Sequence, residues 1–482
     1  MEKLVLIHGA LGSGKEMEQI APLLSHKYAV HIYEIPHHGS KSKSEIECVV
    51  STLKDDLLEF LENIGPSYIY GFSLGGYLAL SAALKSDKNI KGIITHGTKL
   101  LWNDQEAKKE TATLNIDFLK NKTGPFFDYL QELHGPYLPE LLKKTVALMM
   151  DLGESPSVRP DNAGVLKIPV RMVRGGKDKM VTEQETRTIC EAIDNCHYFE
   201  IPSFIHPVGF LKPKFVARMI DVQIQSMSYE WTKSEQTGIA FKRIGTPEKA
   251  ETTLIFIHEA TGSIAQWQDF PERLCSKLNL PGIVFEFSGY GFSENNAGSR
   301  DANYLHELAL NEFPAFLESL SLKSRYILVG HSDGGTNALL YSSRFPENIK
   351  GIVTMAAHVI NKKETKQGIQ PAILAYESGK MKGLEIFHGN KTDQLFYKWA
   401  NTWLAEYFAN WNITDDIIHN KVPALIIQGK NDQYGTEKQV ELIDKALVNA
   451  RPLYIENCGH APHLEHTEEV IEAIWKWSTK LN

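Results

Sequence analysis

Gly71-Phe72-Ser73-Leu74-Gly75 is the stretch that decides how this 482-residue chain is read, because it returns as Gly330-His331-Ser332-Asp333-Gly334. Each copy follows a short apolar run, Tyr68–Tyr70 in one case and Tyr326–Val329 in the other, and each leads into a helical pattern. In that setting G-x-S-x-G marks a strand-to-helix turn that thrusts the serine hydroxyl out of the backbone. The reason is steric: so tight a turn needs glycine on both sides of the serine to let the neighbouring chain pass.

The repeat extends well beyond the pentapeptide. Asn89-Ile90-Lys91-Gly92-Ile93 returns as Asn348-Ile349-Lys350-Gly351-Ile352, with the same spacing of 259 residues that separates the two serines. Pro169 to Asp178 matches Pro423 to Asp432 at a spacing of 254, which also separates His206 from His460. An ordered series of this kind is a duplication. Within each half, short apolar runs alternate with helical patterns, the signature of βαβ units and a parallel sheet. The runs are Leu4–Ile7, Ala29–Ile35, Tyr68–Tyr70, Ile90–Thr95, Val170–Arg174 and His197–Ile201, then Leu254–Ile257, Gly282–Phe287, Tyr326–Val329, Ile349–Met355, Ala424–Gln428 and Leu453–Ile455. Ile46–Asn63 and Val470–Trp477 read as amphipathic helices, and Gly238–Gly245 as an extra strand opening the second half. The boundary falls between Met219 and Glu235, where Ser226, Ser228 and Ser234 interrupt the apolar pattern, giving domains 1–226 and 227–482.

Composition bounds the function. A net charge of −8 argues against a nucleic-acid partner, and no apolar run is long enough for membrane insertion. Met1-Glu2-Lys3 runs straight into Leu4–Ile7 with no signal peptide, and Cys48, Cys190, Cys196, Cys275 and Cys458 are scattered. Both features point to reduced thiols in a cytoplasmic protein. Gly9 to Lys15 has the spacing of a phosphate-binding loop, but Glu16 stands where a Mg²⁺-binding Ser or Thr is required. His460, His463 and His466 recur every three residues without a cysteine or carboxylate set to complete a site. No metal and no cofactor is expected.

A serine hydroxyl is a weak nucleophile that needs a base, and the base needs a carboxylate to orient it. Downstream of each serine a strand ends in a turn with an aspartate, Arg174-Gly175-Gly176-Lys177-Asp178 and Gln428-Gly429-Lys430-Asn431-Asp432. One strand later comes a histidine, His206 after Ile205 and His460 after Gly459, at a spacing of 28 in both halves. The catalytic candidates are therefore Ser73, Asp178 and His206, and Ser332, Asp432 and His460.

With these residues in hand, both halves resemble the α/β-hydrolase superfamily. The resemblance implies two tandem α/β-hydrolase domains, each a mostly parallel sheet flanked by helices and carrying a small helical cap, about 98–166 and 358–421. His8-Gly9-Ala10-Leu11-Gly12 is similar to the family's oxyanion loop, which implies backbone donors from Ala10 and Leu74. The second copy departs from it as His258-Glu259-Ala260-Thr261-Gly262, implying donors from Ala260 and Asp333, since a backbone N–H does not depend on its side chain. Pro36-His37-His38-Gly39-Ser40 and Ser288-Gly289-Tyr290-Gly291-Phe292-Ser293 resemble the family's loop beneath the site. The second cap is rich in aromatics (Phe387, Phe396, Tyr397, Trp399, Trp403, Tyr407, Phe408, Trp411), which suits either an apolar pocket or helix packing.

The expected activity is hydrolysis of a small carboxylic ester or related acyl bond in each half, with an ester-like small molecule as partner. The same residues also serve C–C bond hydrolases, lyases and thioesterases, and one half could instead be a non-catalytic binding or structural module. Asp333 and Glu259 are candidate substrate-binding residues, since Ser-Asp-Gly-Gly resembles hydrolases in which the aspartate grips the amino group of an amino-acid ester. The competing reading has Asp333 paired with a neighbour or capping the following helix.

Overall fold

Six short apolar runs in the first half become six parallel strands: β1 (Glu2–Ile7), β2 (Tyr28–Tyr33), β3 (Ser67–Phe72), β4 (Ile90–His96), β5 (Val170–Gly175) and β6 (Cys196–Ile201). They lie in the order β2-β1-β3-β4-β5-β6. Leu4 to Ile7 are fully buried because helices cover both faces, which is why the strand reads as continuous rather than alternating hydrophobicity. The helix Val50–Ile64 shows the complementary pattern, burying Val50, Leu53, Leu57 and Leu61 along one stripe. The computed structural model describes residues 1–232, 238–294, 300–418 and 420–481.

The second half has β7 (Glu230–Trp231), β8 (Ala240–Ile244), β9 (Thr252–Ile257), β10 (Gly282–Phe285), β11 (Arg325–His331), β12 (Ile349–Met355), β13 (Ala424–Gly429) and β14 (Ala450–Ile455). Their order is β14-β13-β12-β11-β9-β10-β8-β7. The extra stretch Gly238–Gly245 yields β8, antiparallel to β10, and the two-residue β7 pairs antiparallel with β8 in turn. So short a strand carries too little alternation to register in the sequence.

Strand order positions the sites. The strands flanking β1 are β2 and β3, and those flanking β9 are β10 and β11, so the chain reverses its winding direction at β1 and β9. A crevice opens at the carboxyl end of such a switch point, between the loops leaving the two adjacent strands. In the first half these are the loops after β1 and β3, which carry Ala10 and Ser73.

The chain divides into two compact units, Met1–Met227 and Ser228–Asn482. The helix Pro213–Ser226 keeps burying Val216, Ile220 and Ile224, so the apolar pattern of the first unit does not stop at Met219. Ser234 and Glu235 lie outside the described residues. Between β4 and β5 the chain forms the helices Asp104–Thr111, Ile116–Lys122, Pro125–His134 and Leu138–Glu154. The first two start where Asn103 and Asn115 accept hydrogen bonds from the amides of Glu106 and Phe118. Between β12 and β13 run Lys363–Glu377, Glu385–His388 and Thr392–Leu404.

The expectation of five reduced cysteines needs correction: Cys190 and Cys196 form a disulfide. Cys190 lies in the last turn of the helix Glu183–Glu191 and Cys196 opens β6, and the short connection brings their Cα atoms within 5.3 Å, inside bridging range. Cys48, Cys275 and Cys458 are free. Among the described residues no helix is long and apolar enough to cross a membrane.

Candidate active sites

Both serines sit at backbone angles that side-chain-bearing residues rarely adopt, φ 50°, ψ −115° at Ser73 and φ 53°, ψ −118° at Ser332. The surrounding backbone holds them there. Ser73 donates its amide to the carbonyl of His96 and Ser332 donates to that of Met355, each at 2.8 Å. The glycines are sterically required: a Cβ on Gly75 would lie 2.5 Å from the His8 carbonyl, and one on Gly334 would lie 2.0 Å from that of Ile257. These contacts press each serine's helix against the end of the strand whose outgoing loop holds the other proposed oxyanion donor. Leu74 and Asp333 are the first helical residues, so their amides lack partners within the helix.

The aspartates and histidines meet as the spacing suggests. In the first unit Nδ1 of His206 lies 2.8 Å from Asp178 Oδ2, while Oδ1 accepts from the amides of Met180 and Val181 at 2.8 and 3.1 Å. In the second, Nδ1 of His460 lies 2.9 Å from both oxygens of Asp432, which also accepts from the amide of Tyr434 and from Gln428 Nε2, each at 2.8 Å. With Nδ1 donating to a carboxylate, Nε2 of the neutral ring keeps its lone pair and can receive a proton. Burial works against charge on both carboxylates, yet the histidine and backbone donors win. Asp178 is held below the ordinary carboxylate range and Asp432 is brought down to about 2.

Each set opens on its own cavity, and the two differ in kind. Ala10, Ser73 and His206 line one of about 510 Å³, whose other walls are mostly apolar, among them Leu114, Phe118, Leu119, Phe126, Leu130 and Met149 from the segment between β4 and β5. Ile205 faces the same space. Ser332, Asp333, Ala260 and His460 line a cavity of about 90 Å³, narrowed by Trp399, Trp403, Tyr434 and Met381. The aromatics of the second cap mostly fill space rather than leave it: Phe396 and Phe408 are fully buried, and Phe408 stacks on Trp411 at 5.1 Å.

The two candidate substrate-binding residues are already engaged. Asp333 Oδ2 accepts from the Tyr304 hydroxyl at 2.8 Å, and that hydroxyl accepts from Trp403 Nε1 at 2.9 Å. Burial raises the Asp333 carboxyl above its ordinary value, against the pull of the nearby Arg300 cation. Glu259 faces His331 Nδ1 at 3.3 Å. Both residues still line the cavity that holds Ser332.

Several site residues escaped the sequence reading. Glu16, noticed only as an obstacle to phosphate, accepts from the Ser13 amide at 3.2 Å and from the Tyr129 hydroxyl at 2.6 Å, joining the loop after β1 to the cap. Glu34 accepts from the Gly14 amide at 2.8 Å, and Glu286 from those of Ile264 and Phe292. These two carboxylates, Glu34 half-buried and Glu286 buried, tie the loop after the second parallel strand to the loop beside the serine. Their recurrence at matching places in the repeat was the available signal. Cys458, two residues before His460, is fully buried and its thiol is pushed up to about 12, so it acts as packing. Among the described residues no cluster could hold a metal ion.

The chain belongs to the alpha/beta hydrolase fold family, whose model matches residues 3–142 and 252–373, more than half of the chain and one segment in each unit. A Haemophilus influenzae protein provisionally named 2-succinyl-6-hydroxy-2,4-cyclohexadiene-1-carboxylate synthase is 28% identical over 115 residues, 23% of this chain and 46% of that protein. The chain thus spans about half the length of that relative. Lipase 1 of Psychrobacter immobilis is 22% identical over 228 residues, 41% of this chain and 71% of that protein. Among solved structures, a thermophilic esterase from Thermogutta terrifontis aligns with a TM-score of 0.41 at 19% identity, over 52% of this chain and 98% of that one.

Proposed function

We propose that the two domains, 1–226 and 227–482, are each a serine hydrolase acting on carboxylic esters or related acyl bonds. The observation that carries this reading is the repetition: a serine in a strained turn shares a cavity with a carboxylate-held histidine in both units. In this mechanism the hydroxyl of Ser73 or Ser332 attacks the substrate carbonyl carbon, and Nε2 of His206 or His460 takes its proton. Asp178 and Asp432 keep Nδ1–H directed at themselves and stabilise the imidazolium that forms. Backbone amides of Ala10 and Leu74, and of Ala260 and Asp333, hold the oxyanion. The histidine then protonates the leaving group, and water, deprotonated by the same histidine, releases the acid. The relative named as a lipase, from Psychrobacter immobilis, supports ester bonds as the substrate class.

Cavity size divides the labour. The first site takes an acyl chain of several carbons along its apolar walls, and the second takes a short acyl group. Asp333 lines the second cavity, and a carboxyl released from Tyr304 there suits an amino-acid ester.

Activity-based labelling with a fluorophosphonate tests the proposal. The reagent is expected to modify Ser73 and Ser332 and no other serine, with Ser73→Ala and Ser332→Ala each removing one label. Modification of a single serine would reduce the reading to one enzyme carrying a paralogous passenger, and modification of neither would overturn it.

A further inference from the structure

The two sites differ most sharply one residue before the nucleophile. In the first unit Phe72 fills that position and Gly9 faces it: a Cβ on Gly9 would lie 2.9 Å from the Phe72 ring. The ring packs 5.2 Å from that of His206. In the second unit both residues have changed together, to His331 and Glu259. The imidazole occupies the ring's place, and the glutamate fills room that phenylalanine denies to any side chain at position 9.

The exchange replaces an apolar contact with a hydrogen-bonded chain. His331 Nδ1 faces Glu259 Oε2 at 3.3 Å and Nε2 faces the backbone carbonyl of His460 at 2.8 Å. A carboxylate and a carbonyl can only accept, so both ring nitrogens must donate, and only the imidazolium carries two N–H groups. We propose that His331 is a permanently charged positioning residue of the second site, clamping the backbone of His460 through Nε2–H while Glu259 holds it in the charged form. This rests on the reading of Ser332 and His460 as the catalytic pair.

The other groups around His331 agree with a single cation there. Burial alone would disfavour the charge, but Glu259, the His460 carbonyl and Asp432 outweigh it and raise the imidazole above its ordinary value. His463, packed 4.6 Å away, is held neutral by burial, and so is His258 on the loop that bears Glu259. Charge-assisted hydrogen bonds are about twice as strong as neutral ones, and a displaced catalytic group costs up to roughly a hundredfold in rate. A charged clamp on the carbonyl of the general base is therefore a device for holding kcat.

The test uses the full chain in two ways. With histidine ring nitrogens labelled with ¹⁵N, and His331 assigned as the signal lost in His331→Gln, both of its nitrogens are expected to be protonated at pH 7.5 and only one in Glu259→Gln. A singly protonated His331 in the native chain, or no change in Glu259→Gln, would overturn the proposal. The second arm is kinetic, in a Ser73→Ala background. Glu259→Gly strands the buried cation and is expected to lower kcat roughly tenfold with KM nearly unchanged. Adding His331→Phe, which copies the first unit, is expected to restore most of the loss. Losses that simply add would refute the coupling. If Ser332 proves unreactive, the hydrolase reading fails for the second unit, while the ring-nitrogen spectrum still decides the charge of His331.

Discussion

Gly97 and Ala356 share one backbone conformation, φ +56° and +54°, at the carboxyl ends of β4 and β12 in their respective units. Each continues its sheet's bonding by donating its amide, Gly97 to the Val173 carbonyl and Ala356 to that of Ile427. The left-handed conformation costs an alanine about 1–2 kcal/mol, against about 0.4–1 kcal/mol that glycine loses through a freer unfolded chain. Ala356→Gly is therefore expected to stabilise the second unit by up to about 1 kcal/mol, read from denaturant unfolding. Gly97→Ala is expected to destabilise the first unit and slow its reaction, because the new Cβ would press within 3.1 Å of Asp178 Oδ2. A less stable Ala356→Gly would refute the strain.

Acid should reach the second unit through Asp432. Its carboxyl lies at about 2 against an ordinary 3.8, so its contribution is complete above that ordinary value and is lost as pH falls through about 2. Since its side chain is fully buried, the loss should be on the order of 2 kcal/mol between pH ~4 and ~2. Asp432→Asn should lower stability at neutral pH and flatten the dependence across that window. Equal slopes in the two proteins would rule out Asp432 as the source.

Chain-length preference should separate the two sites. With p-nitrophenyl esters, Ser332→Ala leaves only the first site and should favour acyl chains of several carbons. Ser73→Ala leaves only the second and should favour acetate. Each buried methylene is worth about 0.8 kcal/mol, so the first site's kcat/KM should rise roughly fourfold per added carbon until the cavity fills. The same length profile in both variants would contradict the assignment.

Asp333 can be tested by chemistry that only a carboxylate provides. In the Ser73→Ala chain an amino-acid ester should be hydrolysed faster than its deaminated analogue, and Asp333→Leu should erase most of that preference. An unchanged ratio would leave Asp333 as the partner of Tyr304 and nothing more.

What the sequence disclosed follows from what repeats and what does not. The sheets were legible because buried parallel strands such as Leu4–Ile7 are continuous apolar runs, and the sites because the serine turn and the Asp–His spacing of 28 recur. Glu259 was read as a possible substrate ligand because sequence shows neighbours along the chain, not the imidazole of His331 from 72 positions further on. The aromatic second cap suggested a roomy apolar pocket as readily as a packed one. In the folded chain its rings fill each other's space, leaving the larger cavity to the less aromatic first cap. The Cys190–Cys196 bridge was invisible because composition reports how many thiols exist and not how close two of them come.

The unequal cavities also set how inhibition of this chain would look at the bench. A bulky alkyl inhibitor that fits about 510 Å³ but not about 90 Å³ would titrate half of the reactive serines and then stop. On a substrate that both sites accept, its dose–response curve would level off at a plateau of residual turnover rather than fall to zero. A small acylating agent would remove that plateau, so the two reagents together count the centres without any mutation.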